Sequence, residues 1–519
     1  LNLEPSWSGH GIRCERFGQV GSMAVNHFFP WLMMEDRKNG VLWGAMLAHN
    51  ASWQMEVFRK DDSVSLSGGL ADYDFGHWKK ELLPEESFQT PTAILTVACG
   101  DVDSVSQRMT RSMDSACEQG PECEQELPVM FNEYCTTWGC PSHENIVRIL
   151  EKIQGKDLKY FVIDCGWYKR EGIPWYSSMG DYAVSPELFP EGLGKTVEAI
   201  REAGMIPGIW FEIDNVGCAA DAWNQTDHLL YRNGSVLETD SRRFWKMTDP
   251  WVQKYLSAVV IGTLKKYGFG YMKMDYNDTI GVGCDGAESL GEGLRRNMEA
   301  SRKFIEKVKE EIPGIVLENC ASGGSKMEPL MMELCSMASF SDAHECLEIP
   351  VIAANLHRAI LPRQSQIWAV IRECDSRQRI VYSMAATFLG RMCLSGDVLN
   401  LTSEQWTAIE DGIAFYHEIA PVIRHGVTRF FGTEQTSWRH LKGWQGILRM
   451  DGTEGFAVFH TFGGELTEDP YVKLPEGCEF AIAGSYSDNL PELELRNETL
   501  CWHTKENWKA AAVRVRKAL

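Results

Sequence analysis

The sequence predicts an α/β protein: a central (β/α)8 TIM-type barrel flanked by an N-terminal antiparallel β domain and a C-terminal β-sandwich. Three observations carry this. From residue 127 onwards, short apolar runs alternate with helical patterns, the rhythm of a parallel sheet whose strands are joined by crossover helices. Eight such runs occur, which favours closure into a barrel over an open doubly wound sheet. On either side of this region the helical patterns stop, and short apolar runs are punctuated by turn residues. A chain of 519 residues also exceeds what one compact core accommodates.

The segment 1–126 reads as the antiparallel β domain because Val41-Leu42-Trp43-Gly44 and Ala93-Ile94-Leu95-Thr96-Val97 are bounded by Gly, Asn and Asp. The acidic stretch 118–126, with Gly120-Pro121 inside it, reads as a linker. The barrel is expected over 127–424. Its strands are predicted at 129–132, 160–164, 206–211, 271–275, 315–318 and 338–341, with two more near 367–370 and 392–394. Helices are predicted at 145–154, 194–203 and 295–310. No glycine-rich phosphate loop follows the first strand, which argues against a nucleotide fold. Within 425–519, Gly446-Ile447-Leu448-Arg449, Phe456-Ala457-Val458-Phe459 and Phe480-Ala481-Ile482-Ala483 are spaced as in a small β-sandwich.

Composition excludes several functions. A net charge of −21 offers no basic face for nucleic acid and disfavours acidic substrates. No apolar run approaches the roughly 20 residues that cross a bilayer, so no membrane partner is expected. The 16 cysteines are scattered from Cys14 to Cys501 with no C-x-x-C pair, which points to reduced, mostly buried thiols and a cytoplasmic home. Cys135, Cys140 and His143 come nearest to a metal cluster without the usual zinc spacing, and neither metal nor cofactor is expected. The chain begins at Leu1 rather than Met, so a removed leader stays open.

The stretch from Tyr267 to Asp278 organises the chemistry. Gly268 and Gly270 interrupt a helical pattern, and a short strand then ends at Asp275, Asn277 and Asp278. A strand-end Asp followed by Asn is often a plain turn-former. The pattern repeats, however: Asn132, Asp164, Glu212 with Asp214, Lys273 with Asp275, Glu318 with Asn319, and Asp342 all fall at strand ends. In a barrel these ends share one face, where side chains meet a ligand. No G-x-S-x-G elbow or H-E-x-x-H helix is present, which leaves carboxylates and a lysine. Aromatic residues crowd the same ends, among them Trp138, Trp167, Trp175, Tyr182, Trp210, Phe211 and Tyr276. Each alone reads as core packing, but together with a polar fringe they suit a sugar ring. Two carboxylates flanking a sugar suit glycoside hydrolysis. Asp275, beside the Lys273 cation, fits the nucleophile, and Asp342, with apolar and like-charged neighbours, fits the acid.

These motifs permit a family comparison. Phe161-Val162-Ile163-Asp164-Cys165-Gly166-Trp167, Gly180-Asp181-Tyr182, Phe189-Pro190-Glu191-Gly192-Leu193, Gly204-Met205 leading to Gly208-Ile209-Trp210, Lys273-Met274-Asp275-Tyr276-Asn277, Asn319-Cys320-Ala321-Ser322-Gly323-Gly324 and Ser341-Asp342 occur in this order. The region 129–401 thereby resembles the α-galactosidases of glycoside hydrolase family 36, the melibiase group. The resemblance implies a retaining, exo-acting enzyme that releases terminal α-linked galactose from oligosaccharides or glycoconjugates. It also implies Asp275 as nucleophile and Asp342 as acid/base, with Asp164 and Lys273 holding sugar hydroxyls and Cys320 and Gly323 against the C2 side. Cys165, Trp167, Tyr182, Trp210 and Asn277 fall at substrate-binding positions. A sugar-contacting arginine falls at Arg242 or Arg243, with Arg243 as the working assignment. Such enzymes often form homo-oligomers. The chain departs from the pattern at Cys165, where a second aspartate is usual, at Tyr182 for a tryptophan, and at Met274 for a tryptophan. A missing carboxylate removes an acceptor for hydroxyls around C4 and C6. An α-N-acetylgalactosaminidase or galactosaminidase therefore remains an alternative, as do a transglycosylase and a non-catalytic sugar-binding protein.

Overall fold

A computed structural model describes residues 14–60 and 63–518; the first thirteen residues of the segment 1–126 lie outside the described residues. Eight parallel strands close a barrel: β1 (Met130–Asn132), β2 (Tyr160–Ile163), β3 (Ile206–Phe211), β4 (Tyr271–Met274), β5 (Val316–Asn319), β6 (Met337–Ser339), β7 (Ser365–Ile371) and β8 (Arg391–Gly396). Parallel pairing of β8 with β1 shuts the ring. Each strand lies where the apolar runs placed it, within two residues at most ends.

Side chains alternate along each strand, and this divides the barrel into two environments. Met130, Tyr160, Val162, Tyr271, Val316, Met337, Trp368, Val370 and Cys393 fill the interior as one cluster. Their neighbours Phe131, Phe161, Ile163, Met272, Leu317 and Ile367 face the surrounding helices. Gly208 is part of this fit, because a Cβ there would lie 2.9 Å from the Tyr271 ring. Up the same inward face the series become polar: Tyr160, Val162, Asp164 on β2, and Tyr271, Lys273, Asp275 on β4.

The helices are anchored by local sequence. In His143–Ile153, the Ser142 side chain accepts from the Asn145 amide, and Ile146, Ile149, Leu150 and Ile153 form the buried stripe. Helix Leu290–Glu311 starts with Ser289 accepting from the Glu292 amide, and helix Ser403–His425 starts with a Thr402/Gln405 capping box. Two three-stranded antiparallel sheets and helix Val102–Thr110 precede the barrel. After His425 a five-stranded and a three-stranded sheet pack around Leu448, Phe459, Val472, Leu500 and Val513. The outer face of the larger sheet, including Ile447, Phe456 and Val458, joins the core around the barrel helices.

The stretch 118–126 differs from the loose linker its composition suggests. Glu124 is buried beneath the barrel, where its carboxylate pairs with Arg391 Nη1 at 2.7 Å and accepts from the Tyr160 hydroxyl at 2.6 Å. Arg391 and Tyr160 are the first residues of β8 and β2, so this segment plugs the N-terminal end of the barrel. No helix among the described residues is long and apolar enough to cross a membrane. All sixteen cysteines are free.

Candidate active site

The polar strand ends converge on the C-terminal rim of the barrel. Asp275, one residue past β4, is buried, and four N–H donors fix its carboxylate. Oδ1 accepts from the amides of Tyr276 and Ser322, both at 2.8 Å, and Oδ2 accepts from Asn277 Nδ2 at 3.0 Å and Trp210 Nε1 at 3.2 Å. The Ser322 amide reaches it because Ala321, Ser322 and Gly323 all take positive φ. For Ala321 and Ser322 that conformation is strained, and such strain persists where surrounding contacts hold it. Next in the turn, Gly323 backs onto the Asp342 amide; an added Cβ would lie 2.5 Å from that nitrogen. One tight turn therefore touches both carboxyl-bearing residues, with buried Cys320 behind it.

Asp342, three residues beyond β6, is the opposite of Asp275 in its surroundings. Its side chain is 54% exposed, opening onto the rim, and among the described residues no hydrogen bond reaches its carboxylate. Partial enclosure by protein, followed by the nearby Asp275 charge, raises its pKa to about 6.

Lys273 does not pair with Asp275, as its position in sequence suggests. Its Nζ lies 2.7 Å from Asp164 Oδ2, which also accepts from Asn132 Nδ2 at 2.7 Å. Burial alone would raise the Asp164 pKa, but the Lys273 ammonium holds it below the ordinary carboxylate range. Behind this pair lies Glu133, which the sequence reading missed. Fully buried, it accepts from the Asp164 amide at 2.8 Å and bonds to Thr137. Burial, and then the Asp164 charge, push its pKa up to about 8. Cys165 is buried beside it, its amide donating to Asp164 Oδ1 at 2.8 Å.

The arginine expectation is corrected here. Arg243 turns away from the rim, pairing with Glu238 at 2.9 Å and lying over the Trp223 ring at 3.9 Å. Arg242 instead reaches the site, with Nε 2.9 Å from Glu212 Oε1. Glu212 also accepts from Asn277 Nδ2 at 2.9 Å, so Asn277 bridges Glu212 and Asp275. The aromatic residues make specific contacts. Trp167 is fully buried, donating to the Trp210 carbonyl at 2.9 Å, and Tyr182 is buried with its hydroxyl on the backbone of Glu212. Both brace the wall through these bonds, while the Trp210 indole donates to the Asp275 carboxylate. Asp181 of the same motif accepts from the Asp221 and Ala222 amides, a loop-holding role. Cys135, Cys140 and His143 do not converge; the one possible metal-binding trio among the described residues is Asp469, Cys501 and His503, on the C-terminal sheets.

Fold and site together define a (β/α)8 barrel protein with a carboxylate-rich C-terminal rim. A family model for melibiases matches residues 87–426, and the chain belongs to that family. Among relatives, it is 24% identical over 338 residues to the α-galactosidase Mel36A of Lactobacillus acidophilus, covering 62% of this chain and 44% of that one. It is 22% identical over 417 residues to the α-galactosidase AgaA of Geobacillus stearothermophilus, covering 75% and 54%. The chain thus spans about half the length of these relatives. The crystal structure of AgaA superposes with a TM-score of 0.84 at 17% identity, covering 98% of this chain and 72% of that one. An α-galactosidase from Lactobacillus brevis gives 0.79 at 18%, covering 98% and 70%.

Proposed function

We propose that this chain is a retaining, exo-acting glycoside hydrolase that releases terminal α-linked galactose from oligosaccharides or glycoconjugates. The observation that carries this reading is the contrast between two carboxyl groups meeting one turn: Asp275 gripped by four donors, Asp342 left free. A gripped carboxylate presents one oriented lone pair to an anomeric carbon, as a nucleophile must. A free carboxyl with a raised pKa suits a general acid. In the first step Asp275 bonds to C1 while the C1–O pair leaves with the proton of Asp342. In the second, Asp342 takes a proton from water as its oxygen displaces Asp275. Lys273, Asp164 and Trp210 would orient the sugar, with Arg242 acting through Glu212 and Asn277.

Family membership and the barrel support the reading. The sixteen unpaired thiols are consistent with a reducing, cytoplasmic setting. Assembly into homo-oligomers, as the family implies, belongs to the same proposal. The test is a panel of aryl α-glycosides varied singly at C2 and C6. Fastest turnover of the galactoside, with retention of anomeric configuration, supports the reading. Preference for a 2-acetamido or 2-amino sugar would move the assignment to a galactosaminidase, and binding without product release would remove the hydrolase altogether.

A further inference from the structure

His344 lies two residues beyond Asp342 and has no part in the chemistry described so far. Its side chain is only 9% exposed, and its ring stacks on Trp368 at 4.1 Å between centroids and 8° between planes. Nδ1 lies 3.6 Å from Cys135 Sγ. Nε2 is buried without a hydrogen-bond partner and points toward Asp342, 3.9 Å from Oδ1. A buried polar atom without a partner costs free energy, and a nearby carboxylate is the acceptor that would recover it.

We propose that His344 is a positioning residue for the acid/base: Cys135 fixes its tautomer, and the resulting Nε2–H donates to the Asp342 carboxylate whenever Asp342 is ionised, in the free enzyme as in turnover. The proposal rests on the reading of Asp342 as the acid/base.

Two features of the surroundings support it. Burial pushes the Cys135 thiol up to about 12, so its sulfur keeps a proton that it can donate to Nδ1 across the 3.6 Å contact, the arrangement that puts the imidazole hydrogen on Nε2. Burial, then the Lys273 charge, lowers the His344 pKa to about 3, so the ring is neutral throughout the working range. The proton ledger is simple. Asp342 gives its own proton to the leaving oxygen, and the resulting carboxylate accepts a hydrogen bond from Nε2–H without taking that proton. When Asp342 later removes a proton from water, the contact relaxes to its resting separation. The charged or titratable groups facing this pair are Asp164 after β2, Lys273 and Asp275 at the end of β4, Cys320 after β5, Arg372 after β7, and Cys135 itself. None of them offers a donor to Asp342 among the described hydrogen bonds.

The experiment compares His344→Phe, His344→Gln, Cys135→Ala and Cys135→Ser, with melting temperature as the folding control. Phe keeps the stack on Trp368 and removes the donor; Gln carries an amide N–H near the position of Nε2. In H344F, kcat/KM on an oligosaccharide should fall about tenfold to a hundredfold, the range of a hydrogen bond to a charged group. An activated aryl galactoside, which needs little protonation, should lose much less in its first step. Losing the donor destabilises the Asp342 carboxylate, so the alkaline limb of the kcat/KM profile should move up by about one pH unit. H344Q and C135S should recover most of both effects, and C135A should fall between. A folded H344F whose pH profile and leaving-group dependence match the parent enzyme would overturn the proposal. The premise is checked separately by Asp342→Ala: if that variant hydrolyses oligosaccharides at full rate, the acid/base reading has failed rather than the role of His344.

Discussion

The two ends of the barrel both bury charge, yet they handle it in opposite ways. At the N-terminal end, Arg391 and Glu124 are 1% and 7% exposed and pair charge for charge, with the Tyr160 hydroxyl completing the carboxylate. At the C-terminal end, Glu133, Asp164, Glu212, Asp214, Asp275 and Asp342 outnumber Lys273, Arg242 and Lys326, the buried or half-buried cations paired with them among the described residues. The floor is balanced and the rim is in deficit. A matched pair gives little beyond structure, since its attraction mainly repays its own desolvation. Unmatched carboxylates are held in place by backbone amides and by the N–H groups of Asn132, Asn277 and Trp210, and by their mutual repulsion they push proton affinities apart. That separation is what acid–base chemistry requires.

Substitutions at each end sharpen this contrast. The largest effect is expected at the rim: Asp275→Ala should lower kcat for an aryl α-galactoside by about 10⁴-fold or more. The variant should stay folded with a modestly lowered melting temperature, since buried donors such as Trp210 Nε1 lose their acceptor. Full activity in that variant would end the nucleophile assignment. At the floor the expectation reverses. Arg391→Met should cost about 3–5 kcal/mol of stability by stranding Glu124 as an unpaired buried charge, while kcat of the folded fraction stays unchanged. Denaturant unfolding of this variant against the Arg391→Met, Glu124→Gln double variant should show most of the loss recovered. A single variant as stable as the parent would mean the floor pair is not closed.

The smallest effect concerns Glu133. Its folded pKa of about 8 lies above the ordinary carboxyl range, so the unfolded chain releases this proton first as pH rises. The stabilising contribution is complete in acid below the unfolded pKa. It declines from about pH 4 until the folded group ionises near 8. Glu133→Gln can keep both contacts without the titration. It should therefore gain about 1 kcal/mol or more on the parent between pH 5 and 8, read from unfolding midpoints at the two values. An equal difference at both would show that the carboxyl ionises normally.

The barrel was legible because strand-length apolar runs and amphipathic helices leave a rhythm in sequence, and the carboxylates at Asp164, Asp275 and Asp342 ended those runs. What sequence did not reveal depended on direction and distance. Arg242 and Arg243 sit on one short strand, Arg242–Phe244, whose neighbours face opposite sides, so a one-residue ambiguity in spacing exchanged rim for exterior. Trp167 and Tyr182 follow strands as ligand-facing aromatics would, but nothing local tells a wall from a pocket. Glu133 stands in a turn beside Asn132, and its burial comes from packing. Glu124 looked like part of an acidic linker because its partner, Arg391, is 267 residues away. The alternation Tyr271, Lys273, Asp275 was the overlooked signal. Read at every second position, it separates the packed interior from the reactive end within one strand.

The turn from Ala321 to Gly323 has a consequence for redesign. Because its backbone meets both Asp275 and Asp342, the gap between them is a ruler cut into the main chain rather than a sum of adjustable rotamers. Changing a side chain such as Cys165 while sparing residues 320–324 keeps that ruler intact. Inserting or deleting a single residue in the turn resets it.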